Sequence, residues 1–286
     1  MKVIVAKSSG FCPGVRNAID MAEKTLSKEK NVHSLGEIIH NKDVVKKLSS
    51  AGLKIEEKIE KIKSSTVIIR SHGATAEQIK KMQSRGLKIV DATCVLVKRV
   101  QKIAKVLDDE GYKVVIIGDK NHPEVQAVLG SAPEISVVGS KKDVHKLRKY
   151  KKLGVICQTT QSPEYFAQML AEIALMEFAE LKVINTLCKE AIKRQSCAVQ
   201  LCKKVDIMFI LGGLHSANTI KLAELCKKYN KKTFHLQNWK ELDKTILFGN
   251  NVAGITAGAS TPQWVIDDFV ENLRRFKSDR KLQNED

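Results

Sequence analysis

The sequence predicts an α/β protein of parallel sheets with crossover helices, in three similar units. Three observations lead there. Short apolar runs alternate with longer amphipathic stretches along the whole chain, the pattern of strands joined by covering helices. Cys12, Cys94 and Cys188 each follow an expected strand and open an expected helix, at separations of 82 and 94 residues in a chain of 286. Hydrophobic residues at 43% and charged residues at 28% give a globular composition and exclude wholesale disorder.

In chain order, Val3–Ala6 reads as a first buried strand and Gly14–Leu26 and Asp43–Ser50 as amphipathic helices. Val67–Arg70, Ala76–Ser84, Ile89–Asp91 and Leu96–Asp109 alternate strand and helix. Val114–Gly118, Ile135–Val138 and Gly154–Cys157 are apolar strands, and Glu164–Glu180 is a helix. The last third reads Val183–Asn185, Glu190–Cys202, Ile207–Leu211, Thr219–Tyr229, Thr233–Leu236, Val252–Thr256 and Trp264–Phe276, again strands and helices by turns. The expected units are 1–93, 94–185 and 186–277, with a basic, flexible tail at 278–286. No apolar run approaches the roughly 18 residues of a membrane span. The N-terminal run is too short for a signal-peptide core, so a cytoplasmic protein is expected, and a monomer.

The formal charge of +17 admits nucleic acid, anionic lipid, a small anion or an acidic protein as partner. Nucleic acid is disfavoured. Aromatics are only 5%, without a stacking cluster or zinc-finger spacing, and lysines such as Lys203-Lys204 and Lys227-Lys228 read as solvated helix faces.

Seven cysteines without an export signal argue against a disulfide framework. Cys157, Cys197, Cys202 and Cys226 fall inside strand or helix patterns and read as buried hydrophobes. Cys12 in Gly10-Phe11-Cys12-Pro13-Gly14-Val15, Cys94 in Asp91-Ala92-Thr93-Cys94 and Cys188 in Asn185-Thr186-Leu187-Cys188 differ. Amides at a helix start favour a thiolate, and three thiolates in equivalent settings suit a soft metal or an Fe–S cluster. His40, His72 and His122 sit at expected strand ends or loops and suit anion binding and proton transfer. Glu124, beside Pro123, is a candidate acid. Gly212–Thr219 and Gly258–Pro262 each run from a strand into a helix with glycines and hydroxyls, as anion cradles do. Neither is a Walker A loop or a GxGxxG fingerprint.

Taken in order, these motifs continue with Arg70-Ser71-His72-Gly73, His122-Pro123-Glu124-Val125, Gln158-Thr159-Thr160, Arg194-Gln195, Ser216-x-Asn218 and Thr256–Ser260. From Gly10 to about Phe276 the chain resembles the 4-hydroxy-3-methylbut-2-enyl diphosphate reductase (LytB) family. The resemblance implies a trefoil of three α/β units, each a small, mostly parallel sheet with flanking helices, around a central Fe–S cavity. It implies a [4Fe–4S] cluster on Cys12, Cys94 and Cys188, with one iron lacking a protein ligand. The reaction implied is reductive dehydroxylation of the allylic diphosphate to isopentenyl and dimethylallyl diphosphates, the last step of the non-mevalonate pathway. Electrons would come singly from a ferredoxin or flavodoxin, which the basic charge would help to dock. Glu124 would relay protons, with Thr159 beside the substrate hydroxyl and His122 on the proton path. His40, His72, His122, Ser216, Asn218 and Ser260 would hold the diphosphate.

The sequence departs from the family pattern at Glu190 and Ala191, where Ala-Thr is usual, at Ala217, where a second serine is usual, and at Val95, where Pro often stands. His215 replaces a common Asn. All three cysteines and Glu124 are intact. The alternative these departures leave is a degenerate cluster protein of the same fold with another role.

Overall fold

A computed structural model describes residues 1–63, 65–214 and 216–282. Among these, twelve strands form three four-stranded sheets, every pairing parallel. The strands are β1 (Lys2–Val5), β2 (Val32–Leu35), β3 (Leu53–Glu56), β4 (Thr66–Ile69), β5 (Lys88–Asp91), β6 (Lys113–Ile117), β7 (Ser136–Val138), β8 (Lys152–Cys157), β9 (Glu180–Val183), β10 (Ile207–Leu211), β11 (Thr233–Leu236) and β12 (Val252–Ala257). The helices are α1 (Pro13–Leu26), α2 (Lys42–Ser50), α3 (Ala76–Ser84), α4 (Val95–Asp109), α5 (Pro123–Leu129), α6 (Lys141–Val144), α7 (Pro163–Ala174), α8 (Lys189–Cys202), α9 (Ala217–Lys227) and α10 (Gln263–Leu282).

The sheet orders are β3-β2-β4-β5, β7-β6-β8-β9 and β11-β10-β12-β1. Each has one topology. The first strand is central, the second lies outside it, the third lies on its other side, and the fourth closes the edge. The third sheet takes its fourth strand from the start of the chain. Val3 pairs with Ala253 and Val5 with Ile255, and Met1 and Val3 pack on the cluster of Phe209, Ile255, Phe269 and Leu273. The first strand of the chain, read above within 1–93, therefore completes the sheet of residues 207–257.

The chain forms two compact units. One, Asn17–Ile38 with Leu48–Ile192, holds the sheets of β2–β5 and β6–β9. The other, Met1–Arg16 with Ile39–Lys47 and the chain from Lys193 onward, holds the third sheet. Parallel sheets are covered on both faces, so central strands such as Val114–Ile117 and Ile207–Leu211 are wholly buried. In the first unit, α4 lays Val100, Ala104 and Leu107 on Val114, Ile116 and Ile156, while Phe166, Met169 and Ile173 of α7 cover the opposite residues of the same strands. In the second, α8 and α9 cover Met208 and Ile210 with Ala198, Leu201, Leu222 and Ala223. The far face carries α10 through Ile266, Phe269 and Leu273. Helix α10 runs on to Leu282, so residues 278–282 of the expected tail are helical, and 283–286 lie outside the described residues. No helix among the described residues is long and apolar enough to cross a membrane.

Candidate active site

In open parallel sheets, ligands bind beyond the carboxyl ends of the strands, where the strand order reverses. Here the reversals fall between β2 and β4, β6 and β8, and β10 and β12. His40, His72, His122, Thr159, Ser216 and Ser260 lie in the segments that leave these six strands, one residue in each. The cysteines lie after β5, β9 and β1, the edge strands beside β4, β8 and β12.

The three cysteines occupy equivalent backbone positions. Each is the residue before a helix, and its carbonyl accepts the first helical bond, from Arg16 to Cys12 at 2.9 Å, Lys98 to Cys94 at 3.0 Å and Ile192 to Cys188 at 3.0 Å. Each amide donates to the loop beyond the neighbouring strand, Cys12 to Ala259 at 3.2 Å, Cys94 to Ser71 at 2.9 Å and Cys188 to Thr159 at 2.8 Å. The amide of Val15, in the first turn of α1, donates to Cys12 Sγ at 3.5 Å. All three are half-buried, and none of the seven cysteines is in a disulfide. Among the described residues no three His, Cys, Asp or Glu side chains gather around a single ion. A cubane cluster takes one thiolate on each of separate irons. Three partly shielded cysteines at helix starts fit that donor set. By contrast, Cys157, Cys202 and Cys226 are buried in the cores as expected, and Cys197 packs partly against one.

The larger unit brings His122, Glu124, Thr159 and His72 together. His122 caps α5, its Nδ1 accepting the Glu124 amide at 3.2 Å. That acceptor role leaves the ring proton on Nε2. Pro123 opens the helix and Glu124 follows in its first turn, where a carboxylate suits the helix dipole. Glu124 is 2% exposed and is held by Thr159, whose amide donates to Oε1 at 2.7 Å and whose hydroxyl donates to Oε2 at 2.8 Å. The rings of His72 and His122 meet edge to face at 5.6 Å. Ser71, beside His72, donates to the Ile38 carbonyl at 3.1 Å.

The smaller unit brings the two anion-cradle loops against one another. A Cβ on Gly212 would stand 2.7 Å from Thr261 Oγ1, and one on Gly258 would stand 2.2 Å from Thr219 Oγ1. Only glycine allows that approach. Ser216 precedes α9 but makes no capping bond with its side chain, instead accepting from the Thr219 hydroxyl at 3.1 Å. Ser260 donates to the His40 carbonyl at 3.1 Å. Both serines are buried, while His40 and Asn218 are half-buried. Behind them Arg194, also buried, donates to the Ala257 carbonyl at 2.8 Å. His215 lies outside the described residues. Thr219 and Thr261 belong to the two loops read from the sequence as anion cradles, although neither was given a role of its own there.

Comparison with known proteins settles the family. The model of the LytB protein family matches residues 3–274. The chain belongs to the LytB family. It is 42% identical over 282 residues to a 4-hydroxy-3-methylbut-2-enyl diphosphate reductase of Geobacter sulfurreducens, covering 98% of this chain and 100% of that protein. A reductase of the same name from Caldanaerobacter subterraneus is 40% identical over 285 residues, covering 98% of this chain and 99% of that one. Among solved structures, an (E)-4-hydroxy-3-methyl-but-2-enyl diphosphate reductase, described as the terminal enzyme of the non-mevalonate pathway, is similar at a TM-score of 0.74 and 39% identity, over 96% of this chain and all of that one. The Plasmodium falciparum reductase is similar at a TM-score of 0.90 and 29% identity, over 95% of this chain and 87% of that one. Three parallel four-stranded sheets with flanking helices are thus the architecture of a LytB protein.

Proposed function

We propose that this LytB chain reduces (E)-4-hydroxy-3-methylbut-2-enyl diphosphate to isopentenyl diphosphate and dimethylallyl diphosphate in the cytoplasm, as the last step of the non-mevalonate pathway. The observation that carries the proposal is the likeness, over nearly its whole length, to proteins named as that reductase, at 42% identity in the first case. The allylic C–O bond breaks, two electrons and two protons enter, and the oxygen leaves as water.

Cys12, Cys94 and Cys188 would hold a [4Fe–4S] cluster. When bound, it supplies single electrons and a Lewis-acidic iron for the alcohol oxygen. The chain's own groups do the rest. Glu124 holds the proton that leaves with the oxygen, and Thr159 passes it through a hydroxyl already bonded to that carboxylate. His122 offers Nε2–H as a donor. His72, His40, Ser216, Asn218 and Ser260 bind the diphosphate, and charge-assisted bonds of about 1.5–3 kcal/mol each make several donors sufficient. A ferredoxin or flavodoxin delivers the electrons, drawn to a chain of formal charge +17. The protein acts as a monomer.

The test is anaerobic turnover of the hydroxy diphosphate with reduced ferredoxin. Formation of both five-carbon diphosphates is the expected result. Unchanged substrate in the presence of a reducible cluster would contradict the assignment and favour a cluster protein with another role.

A further inference from the structure

We propose that Asp91 and Asn185 are a matched pair of positioning residues that fix the segments presenting Cys94 and Cys188. Each stands three residues before its cysteine. Asp91 Oδ1 accepts the Thr93 amide at 3.0 Å, and Asn185 Oδ1 accepts the Leu187 amide at 3.0 Å. In both cases the donor is the residue immediately before the cysteine, so the side chain closes a turn that sets where the thiol-bearing residue starts its helix.

Both turns are tied to the neighbouring loop through the cysteine amide, Cys188 to Thr159 at 2.8 Å as Cys94 to Ser71, and each adds side-chain bonds of its own. Ala92 donates to Ile69 at 3.1 Å and Cys94 to Ser71 at 2.9 Å, while Lys98 on α4 reaches back to Asp91 Oδ2 at 2.6 Å. The Thr186 hydroxyl accepts the Cys157 amide at 2.8 Å and donates to the Cys157 carbonyl at 2.5 Å. Among the side-chain bonds of the two turns, the shared element is the oxygen acceptor that Asp91 and Asn185 each offer to the residue before the cysteine. The charge of Asp91 and its half-exposed partner Lys98 are particular to one turn, and such a pair contributes little. The acceptor, not the charge, is the positioning element, because a neutral amide does the same work at Asn185.

The proposal rests on Cys94 and Cys188 being cluster ligands, and its test separates the two ideas. Amide hydrogen exchange at Thr93 and Leu187 is measured in the metal-free chain, and iron and sulfide retention in anaerobically loaded protein. In D91A and N185A the affected amide should exchange about fivefold to tenfold faster, the weight of one hydrogen bond. Both variants should also lose iron faster than wild type. D91N and N185D, which keep the acceptor, should match wild type in both readouts. N185A reads independently should D91A fail to fold. Alanine variants that hold iron as wild type does would overturn the positioning role, as would a D91N that behaves like D91A. Wild-type chain that takes up no iron would overturn the cluster reading, whatever the exchange rates.

Discussion

Glu124 is a buried carboxylate whose two oxygens accept from the amide and hydroxyl of Thr159. Glu124→Gln keeps the size and an acceptor for the Thr159 amide, and its NH2 can donate to the hydroxyl, so the fold should persist. The transferable proton is lost. Turnover should fall by about 10²–10⁴, the usual weight of a positioned acid, with little change in thermal midpoint. A loss below tenfold would remove Glu124 from the proton path. The residue was legible in the sequence through its proline and its place after His122. Its grip by Thr159 was not, because the two lie 35 positions apart and only the pairing of β6 with β8 brings their loops together. His33 gives a second residue-scale expectation. It is 3% exposed, with Nδ1 lacking a hydrogen-bond partner, and burial holds its pKa below the usual imidazole value. The unfolded chain then takes up a proton near pH 6.5 that the folded chain refuses. Stability should fall as pH drops through and below that value. His33→Gln should flatten this part of the midpoint-versus-pH curve, and an unchanged slope would refute the assignment.

At the scale of elements, two glycines show how tightly helices close on the sheets. A Cβ on Gly154 in β8 would meet Leu107 of α4 at 3.0 Å, and one on Gly254 in β12 would meet Met208 Sδ at 2.7 Å and Leu201 of α8 at 3.1 Å. Each lies on the third strand of its sheet, four residues before the site segment. Gly154→Ala and Gly254→Ala should each destabilise by about 1–3 kcal/mol through overpacking, read as a lower denaturant midpoint, and an unchanged midpoint would show slack packing. The strands and helices built on long apolar or amphipathic runs were readable in advance. Strand β2 was not, because Val32-His33-Ser34-Leu35 puts two polar residues in the buried centre of a sheet. β3 was hidden by lysine and glutamate alternating with Leu53 and Ile55 on an edge. The helix expected to reach Glu180 ends at Ala174, since the last residues of that run form the turn and edge strand β9. α5 is seven residues long, too short to show a period, although the histidine cap and Pro123 marked its start.

For the whole molecule, one strand order is used three times, and the third copy borrows its edge strand from the chain's beginning. The spacing of Cys12, Cys94 and Cys188 carried that repeat into the sequence, but only pairing of β1 with β12 reveals the permutation. The repeat explains why each cysteine has an equivalent amide partner beyond the neighbouring strand, a helix directly after it and intermediate burial. The central proposal is that Cys12, Cys94 and Cys188 are the ligands of one cluster. Iron and acid-labile sulfide per chain, measured on anaerobically purified protein, test it directly. The wild type should hold about four of each, Cys12→Ser, Cys94→Ser and Cys188→Ser should each lose most of both, and Cys226→Ser should lose none. Full iron content after replacing any one of the three, or colourless wild-type protein holding zinc, would contradict the account.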